Sequence, residues 1–106
     1  MQRLTPKQLN DYLSRSATKP LLLDVREPWE FEICHLGASQ NLPLGQLSAR
    51  FQSLDPQQET VLICHHGIRS LQAALFLQHQ GFKSVINLEG GVDAWADQVD
   101  LDMNKY

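Results

Sequence analysis

The chain has little of what would place it outside the cell, in a membrane or on a nucleic acid. Only two cysteines, Cys34 and Cys64, occur in 106 residues, too few for the disulfide framework of a small secreted domain. No apolar run approaches the roughly 20 residues that cross a bilayer. The segment Met1-Gln2-Arg3-Leu4-Thr5-Pro6 holds no apolar signal core. Nine basic residues stand against twelve acidic ones, a formal charge of −3. Lysine and arginine form no cluster, so the electrostatic footprint of a nucleic-acid binder is missing. There is no repeat, low-complexity tract or linker, and 42% hydrophobic content suits one compact domain over residues 1–106 with one core. The expectation is a cytoplasmic protein with free, reduced thiols.

What is present is an alternation of short apolar runs with amphipathic segments, which predicts an α/β fold. Thr5, Pro6 and Gln8 form a capping box with proline at the first helical position, opening a helix through about Ser16. Leu21-Leu22-Leu23-Asp24-Val25 is a continuous apolar run suited to a strand covered on both faces, with Asp24 near its carboxyl end. Asn41-Leu42-Pro43-Leu44 predicts a short extended segment. Leu47, Phe51 and Leu54 have helical spacing before the stop at Asp55-Pro56. Ser84–Leu88 predicts a further strand after a helix stop at Gly81, and Gly90-Gly91 opens a last helix around Trp95. Strands followed by helices imply a parallel sheet, whose sites lie beyond the carboxyl ends of the strands.

Cys64 occupies such an end. It stands between Thr60-Val61-Leu62-Ile63, which predicts a buried strand, and a short polar stretch leading into a helix over Ser70–Leu77. The connecting loop aims several backbone N–H groups at one point. Unpaired donors and the positive end of a helix dipole favour a thiolate over a thiol. Gly67 admits backbone angles closed to other residues, and Arg69 adds a permanent positive charge. An isolated cysteine after an apolar run is more often a buried, inert residue. The sequence His65-His66-Gly67-Ile68-Arg69-Ser70 argues instead for a nucleophile.

The segment C-H-H-G-I-R-S at Cys64–Ser70 is similar to the C-x-x-G-x-R-S loop of the rhodanese-like sulfurtransferases. Asp24-Val25-Arg26-Glu27 with Trp29-Glu30-Phe31 resembles that family's D-V-R-E-x-x-E-F segment. His35-Leu36-Gly37-Ala38 followed by Asn41-Leu42-Pro43-Leu44 resembles H-I-x-G-A-x-N-I-P-L, and Leu88–Trp95 is similar to L-x-G-G-x-x-A-W. The resemblance implies a rhodanese-like fold, a central, mostly parallel sheet of about five short strands with helices on both faces. It also implies that Cys64 takes sulfane sulfur from a donor such as thiosulfate, holds it as a persulfide and yields it to cyanide, a thiol or a partner protein. Four residues separate Cys64 from Arg69. The related dual-specificity phosphatases carry one more, so sulfur transfer is favoured, with arsenate reduction or phosphatase chemistry on the same fold as alternatives. A persulfide carrier that docks on a partner is the other.

On this resemblance His65, His66, Gly67, Ile68 and Arg69 bind the anionic substrate, largely through their backbone, while Asp24, Arg26, Glu27 and His35 support the architecture. Glu27 is expected to pair with Arg69 or Arg26, and Arg69 either fixes the loop or helps hold substrate. His65 stands where many family members have Arg or Lys, which predicts weaker thiosulfate capture at alkaline pH. Cys34 stands where the family usually has Gly, and a second thiol could resolve an oxidised Cys64. The Cys-His neighbours lack paired zinc-ligand spacing, so no metal and no cofactor is expected. Trp29, Phe31 and Trp95 are expected in the core or pocket wall, His79 at an exposed helix end, and Leu101–Tyr106 as a surface tail.

Overall fold

A computed structural model describes the whole chain, Met1–Tyr106. Its sheet has five strands: β1 (Gln2–Leu4), β2 (Leu21–Asp24), β3 (Gln40–Asn41), β4 (Thr60–Ile63) and β5 (Val85–Leu88). They lie in the order β1-β5-β4-β2-β3, and every pair is parallel. Five α-helices connect them: α1 (Pro6–Arg15), α2 (Pro28–Ile33), α3 (Leu44–Arg50), α4 (Ile68–His79) and α5 (Gly91–Gln98). A single 3-10 turn, Phe51–Ser53, follows α3. No helix is long and apolar enough to cross a membrane.

Local sequence explains most of these boundaries. The capping box at α1 is formed: Thr5 Oγ1 accepts from the Gln8 amide at 3.2 Å, and Gln8 Oε1 accepts from the Thr5 amide at 2.9 Å. The central strands β4 and β5 are buried at every position, which is why they read as continuous apolar runs rather than as alternation. Alternate residues therefore serve two separate cores, not the one core expected. Leu23, Val25, Leu62 and Cys64 pack toward α3 and α4, against Leu47, Ala73, Ala74 and Leu77. Leu22, Val61, Ile63 and Ile86 pack on the opposite face against Leu9 of α1 and Val92 and Trp95 of α5. The two thiols are divided in the same way, Cys64 in the first layer and Cys34 in the second.

Two aromatic expectations part company. Trp95 is buried as expected, while Trp29 is 60% exposed, because it occupies an outward position on the short helix α2. The carboxyl ends of β2 and β4 are adjacent, with the Val25 amide donating to the Ile63 carbonyl at 2.9 Å. Asp24 and Cys64 thus emerge side by side at the same edge of the sheet.

Candidate active site

The sulfur of Cys64 lies in a nest made by the first turn of α4. The chain leaves β4, loops through His65 and His66, and passes Gly67 in the left-handed region with φ of +99°. A Cβ there would sit 3.2 Å from the Gly90 nitrogen, a tight contact, and the backbone conformation itself favours glycine. The turn directs the Gly67 amide at Sγ at 3.0 Å and the Ser70 amide at 3.3 Å, with Ser70 Oγ also at 3.3 Å. Cys64 itself is 1% exposed. The start of α5 holds the loop from behind: the Val92 amide donates to the Cys64 carbonyl at 2.9 Å and the Asp93 amide to that of His65 at 3.1 Å. Behind Ser70, its hydroxyl donates to Asn87 Oδ1, and Asn87 Nδ2 donates to the Gly67 carbonyl at 3.2 Å.

A charged network flanks this nest. Arg26 is fully buried. Its guanidinium forks onto Asp24, Nε to Oδ1 at 2.9 Å and Nη2 to Oδ2 at 2.7 Å. The remaining donors reach the carbonyls of Cys34 and Glu30 and the Tyr106 hydroxyl. Burial opposes the charge of Arg26, and the bonds to Asp24 and Tyr106 outweigh it, so its pKa lies above the ordinary arginine value. Arg69 forks in turn onto Glu30, at 2.7 and 2.8 Å. The paired Arg69 guanidinium, against the opposing effect of burial, holds the Glu30 carboxyl at about 2. Tyr106 closes the network. Its hydroxyl accepts from Arg26 at 2.9 Å and donates to Glu30 Oε2 at 2.7 Å, and its ring stacks on His65 with centroids 4.0 Å apart. Burial, reinforced by Glu30, pushes the Tyr106 phenol up to about 12. Burial, then the neighbouring His66, lowers the His65 pKa.

Comparison with known proteins gives this arrangement its family. The model of the rhodanese-like domain matches residues 5–98. The chain belongs to the rhodanese-like domain family. It is 34% identical over 94 residues to "Thiosulfate sulfurtransferase GlpE" of Pseudomonas fluorescens, an alignment that covers 89% of this chain and 84% of GlpE. It is 35% identical over 105 residues to "Probable adenylyltransferase/sulfurtransferase MoeZ" of Mycobacterium tuberculosis, covering 97% of this chain and 26% of MoeZ. YrkF of Bacillus subtilis, whose name gives a suspected sulfur carrier, is 39% identical over 79 residues, 74% of this chain and 43% of that protein. The chain thus spans about a quarter of MoeZ and less than half of YrkF. Among solved structures, a rhodanese-related protein from Thermoplasma volcanium superposes with a TM-score of 0.83 at 27% identity, covering 93% and 94% of the two chains.

Within this rhodanese-like domain the residues singled out from sequence are distributed unevenly. Cys64, Gly67 and Arg69 meet at the nest, whereas Ile68 is 72% exposed and the His66 ring faces solvent, 3.9 Å from Asp93. His35 lies on the surface, its Nδ1 donating to the Phe31 carbonyl at 2.7 Å and its ring stacking on that of Phe31, a structural position at the end of α2. Asp24 and Arg26 are partners in one buried ion pair. Glu27 is a correction: it pairs with neither arginine. Pro28 starts α2 immediately after it, which leaves Glu27 exposed at the helix entrance and turns Glu30, one turn on, toward Arg69. Leu101–Tyr106 lies on the surface as expected, and its last residue, Tyr106, docks on Arg26, Glu30 and His65. Cys34 lies in the layer opposite Cys64, its sulfur 3.8 Å from Arg26 Nη1.

Three participants had no role in the sequence reading. Glu30 and Ser70 lie inside quoted motifs, and their signal was their place there. Asn87 had a plainer signal, an amide in the apolar strand Val85–Leu88, where a buried polar group needs partners.

Proposed function

We propose that this domain moves sulfane sulfur through a persulfide on Cys64. The thiolate of Cys64 attacks the outer sulfur of a donor such as thiosulfate. A new S–S bond forms, the old one breaks, and sulfite leaves with the bonding electron pair. A thiophilic acceptor then attacks the outer sulfur of the persulfide, and the Cys64 thiolate departs with its electron pair. The observation that carries this reading is the nest itself: the Gly67 and Ser70 amides point at the sulfur before any substrate arrives. Such donors stabilise developing negative charge without reorienting. Both guanidinium ends of Arg69 are engaged by Glu30, which supports a role for Arg69 in fixing the loop. Burial disfavours the charged form of His65, which leaves the backbone donors to attract an anion.

The test is intact-mass analysis after incubation with thiosulfate. One sulfur is expected to add to the wild-type chain, located to the Cys64 peptide, and none to Cys64→Ser, which also loses thiosulfate-to-cyanide transfer. Sulfur found on Cys34 alone, or full transfer activity in Cys64→Ser, would overturn the reading. A second reading, a persulfide carrier that delivers to a protein, is favoured by the exposed apolar side chains of Ile68, where the loop enters α4, and of Trp29, which packs on the Tyr106 ring that covers His65, and by the similarity to YrkF. Rapid multiple turnover with small thiols speaks for the enzyme. A single fast loading followed by slow release speaks for the carrier.

A further inference from the structure

We propose that Asn87 is a positioning residue that turns the hydrogen of the Ser70 hydroxyl away from Cys64, so that the hydroxyl offers the sulfur a lone pair and restrains its reactivity. Hydrogen-bond direction decides where the hydroxyl points. Asn87 is 4% exposed, and its amide orientation is fixed by the Gly67 carbonyl, which has no hydrogen to give and therefore faces Nδ2, at 3.2 Å. Oδ1 must then face Ser70, and Oδ1 is an acceptor only. The single hydrogen of the Ser70 hydroxyl goes to Oδ1. What Ser70 Oγ presents to Cys64, 3.3 Å away, is a lone pair, which takes the S–H hydrogen. With the Gly67 and Ser70 amides donating to it, a neutral Cys64 has every hydrogen-bonding capacity filled.

Ionisation disturbs this arrangement. The S–H bond breaks, its electron pair stays on sulfur, and the proton passes to a buffer base. A negative sulfur then faces the Ser70 lone pair. The hydroxyl can swing to the sulfur only by stripping Asn87 Oδ1 of its donor, and a buried acceptor without a partner is costly. The two backbone amides favour the thiolate while the Ser70–Asn87 pair restrains it, so the reactivity of Cys64 is set by the balance. Asn87 touches neither the sulfur nor a substrate, and it acts through Ser70.

This inference rests on Cys64 being the reacting thiol, yet its test reads the thiol by alkylation rather than sulfur transfer, so a failed persulfide assay would leave the outcome interpretable. Iodoacetamide labelling of the Cys64 peptide is followed by mass spectrometry across pH in the full chain. Asn87→Ala frees the Ser70 hydroxyl to donate to sulfur, and the labelling midpoint is expected to move to lower pH. A move of about one pH unit gives roughly tenfold more thiolate below the midpoint against a roughly threefold loss of nucleophilicity, hence about threefold faster labelling there. Asn87→Asp keeps an acceptor toward Ser70 and is expected to leave the midpoint in place or raise it. In a Ser70→Ala background, Asn87→Ala is expected to add no further movement. An unchanged or raised midpoint in Asn87→Ala, an equal fall in Asn87→Asp, or the same fall without the Ser70 hydroxyl would overturn the proposal. Should Asn87→Ala fail to fold by circular dichroism, Asn87→Leu keeps the branched shape, removes the acceptor and faces the same criteria.

Discussion

Gly91 shows how little freedom single positions have around the sulfur. It lies in the left-handed region with φ of +60°, and a Cβ built on it would fall 2.3 Å from the Cys64 carbonyl oxygen and 2.4 Å from that of His65. Those are the carbonyls gripped by the Val92 and Asp93 amides, so the loop cannot retreat without losing both bonds. Gly91→Ala is therefore expected to cost about 3 kcal/mol or more, the sum of left-handed strain and overpacking against backbone. Urea denaturation checks this, and a loss below about 1 kcal/mol, the ordinary level for one substitution, would show that the loop yields. The same geometry explains why the glycine pair of the last motif matters to a cysteine far away in sequence. It is the backstop that keeps the first turn of α4 aimed at the sulfur.

At the scale of elements, the least legible parts were the short ones. The buried strands β2, β4 and β5 show in sequence because both faces are covered and the apolar run is continuous. The strand β1 is only Gln2–Leu4, with Leu4 its one apolar residue, and exists because β5 offers it a parallel partner. The helix α2 has six residues, too few to show a period, and whether Glu27 or Glu30 meets Arg69 depends on where Pro28 starts the turn and on a guanidinium 39 residues away in sequence. The segment after α5 carries no apolar pattern, yet its Tyr106 is held by three partners at once. Its influence on the loop is separable by substitution. Burial is the largest cause of the lowered His65 pKa, and the stacked ring of Tyr106 supplies cover. In Tyr106→Ala the NMR titration midpoint of His65 is expected to rise toward its ordinary value of 6.5. Tyr106→Phe keeps the stack, so His65 is expected to titrate as in wild type while stability falls by about 1–2 kcal/mol for the lost hydroxyl between Arg26 and Glu30. A His65 midpoint that stays low in Tyr106→Ala would show that the ring is not its cover.

Across the whole molecule, the charged network joins parts that contact order alone would leave independent: the end of β2 through Asp24 and Arg26, α2 through Glu30, the Cys64 loop through Arg69, and the terminal segment through Tyr106. Its acid sensitivity follows from Glu30. The folded carboxyl titrates at about 2 against an ordinary 4.5, so the folded state binds fewer protons than the unfolded chain between those values. The contribution of Glu30 is therefore fully present above 4.5 and is lost as pH falls toward 2. Other carboxylates also titrate there, and the informative quantity is the stability gap between wild type and Glu30→Gln. Above 4.5 that gap is expected to be constant at about 1–3 kcal/mol, less than for a fully buried pair because the Arg69 side chain is 36% exposed. Below 4.5 it should narrow steadily, since the unfolded chain takes up a proton at Glu30 that the folded state binds only near 2. Urea midpoints measured on both proteins down the acid range decide it. A gap that stays the same through that range would mean that Arg69 does not hold the carboxylate, and that the loop around Cys64 is fixed by the backbone of α5 alone.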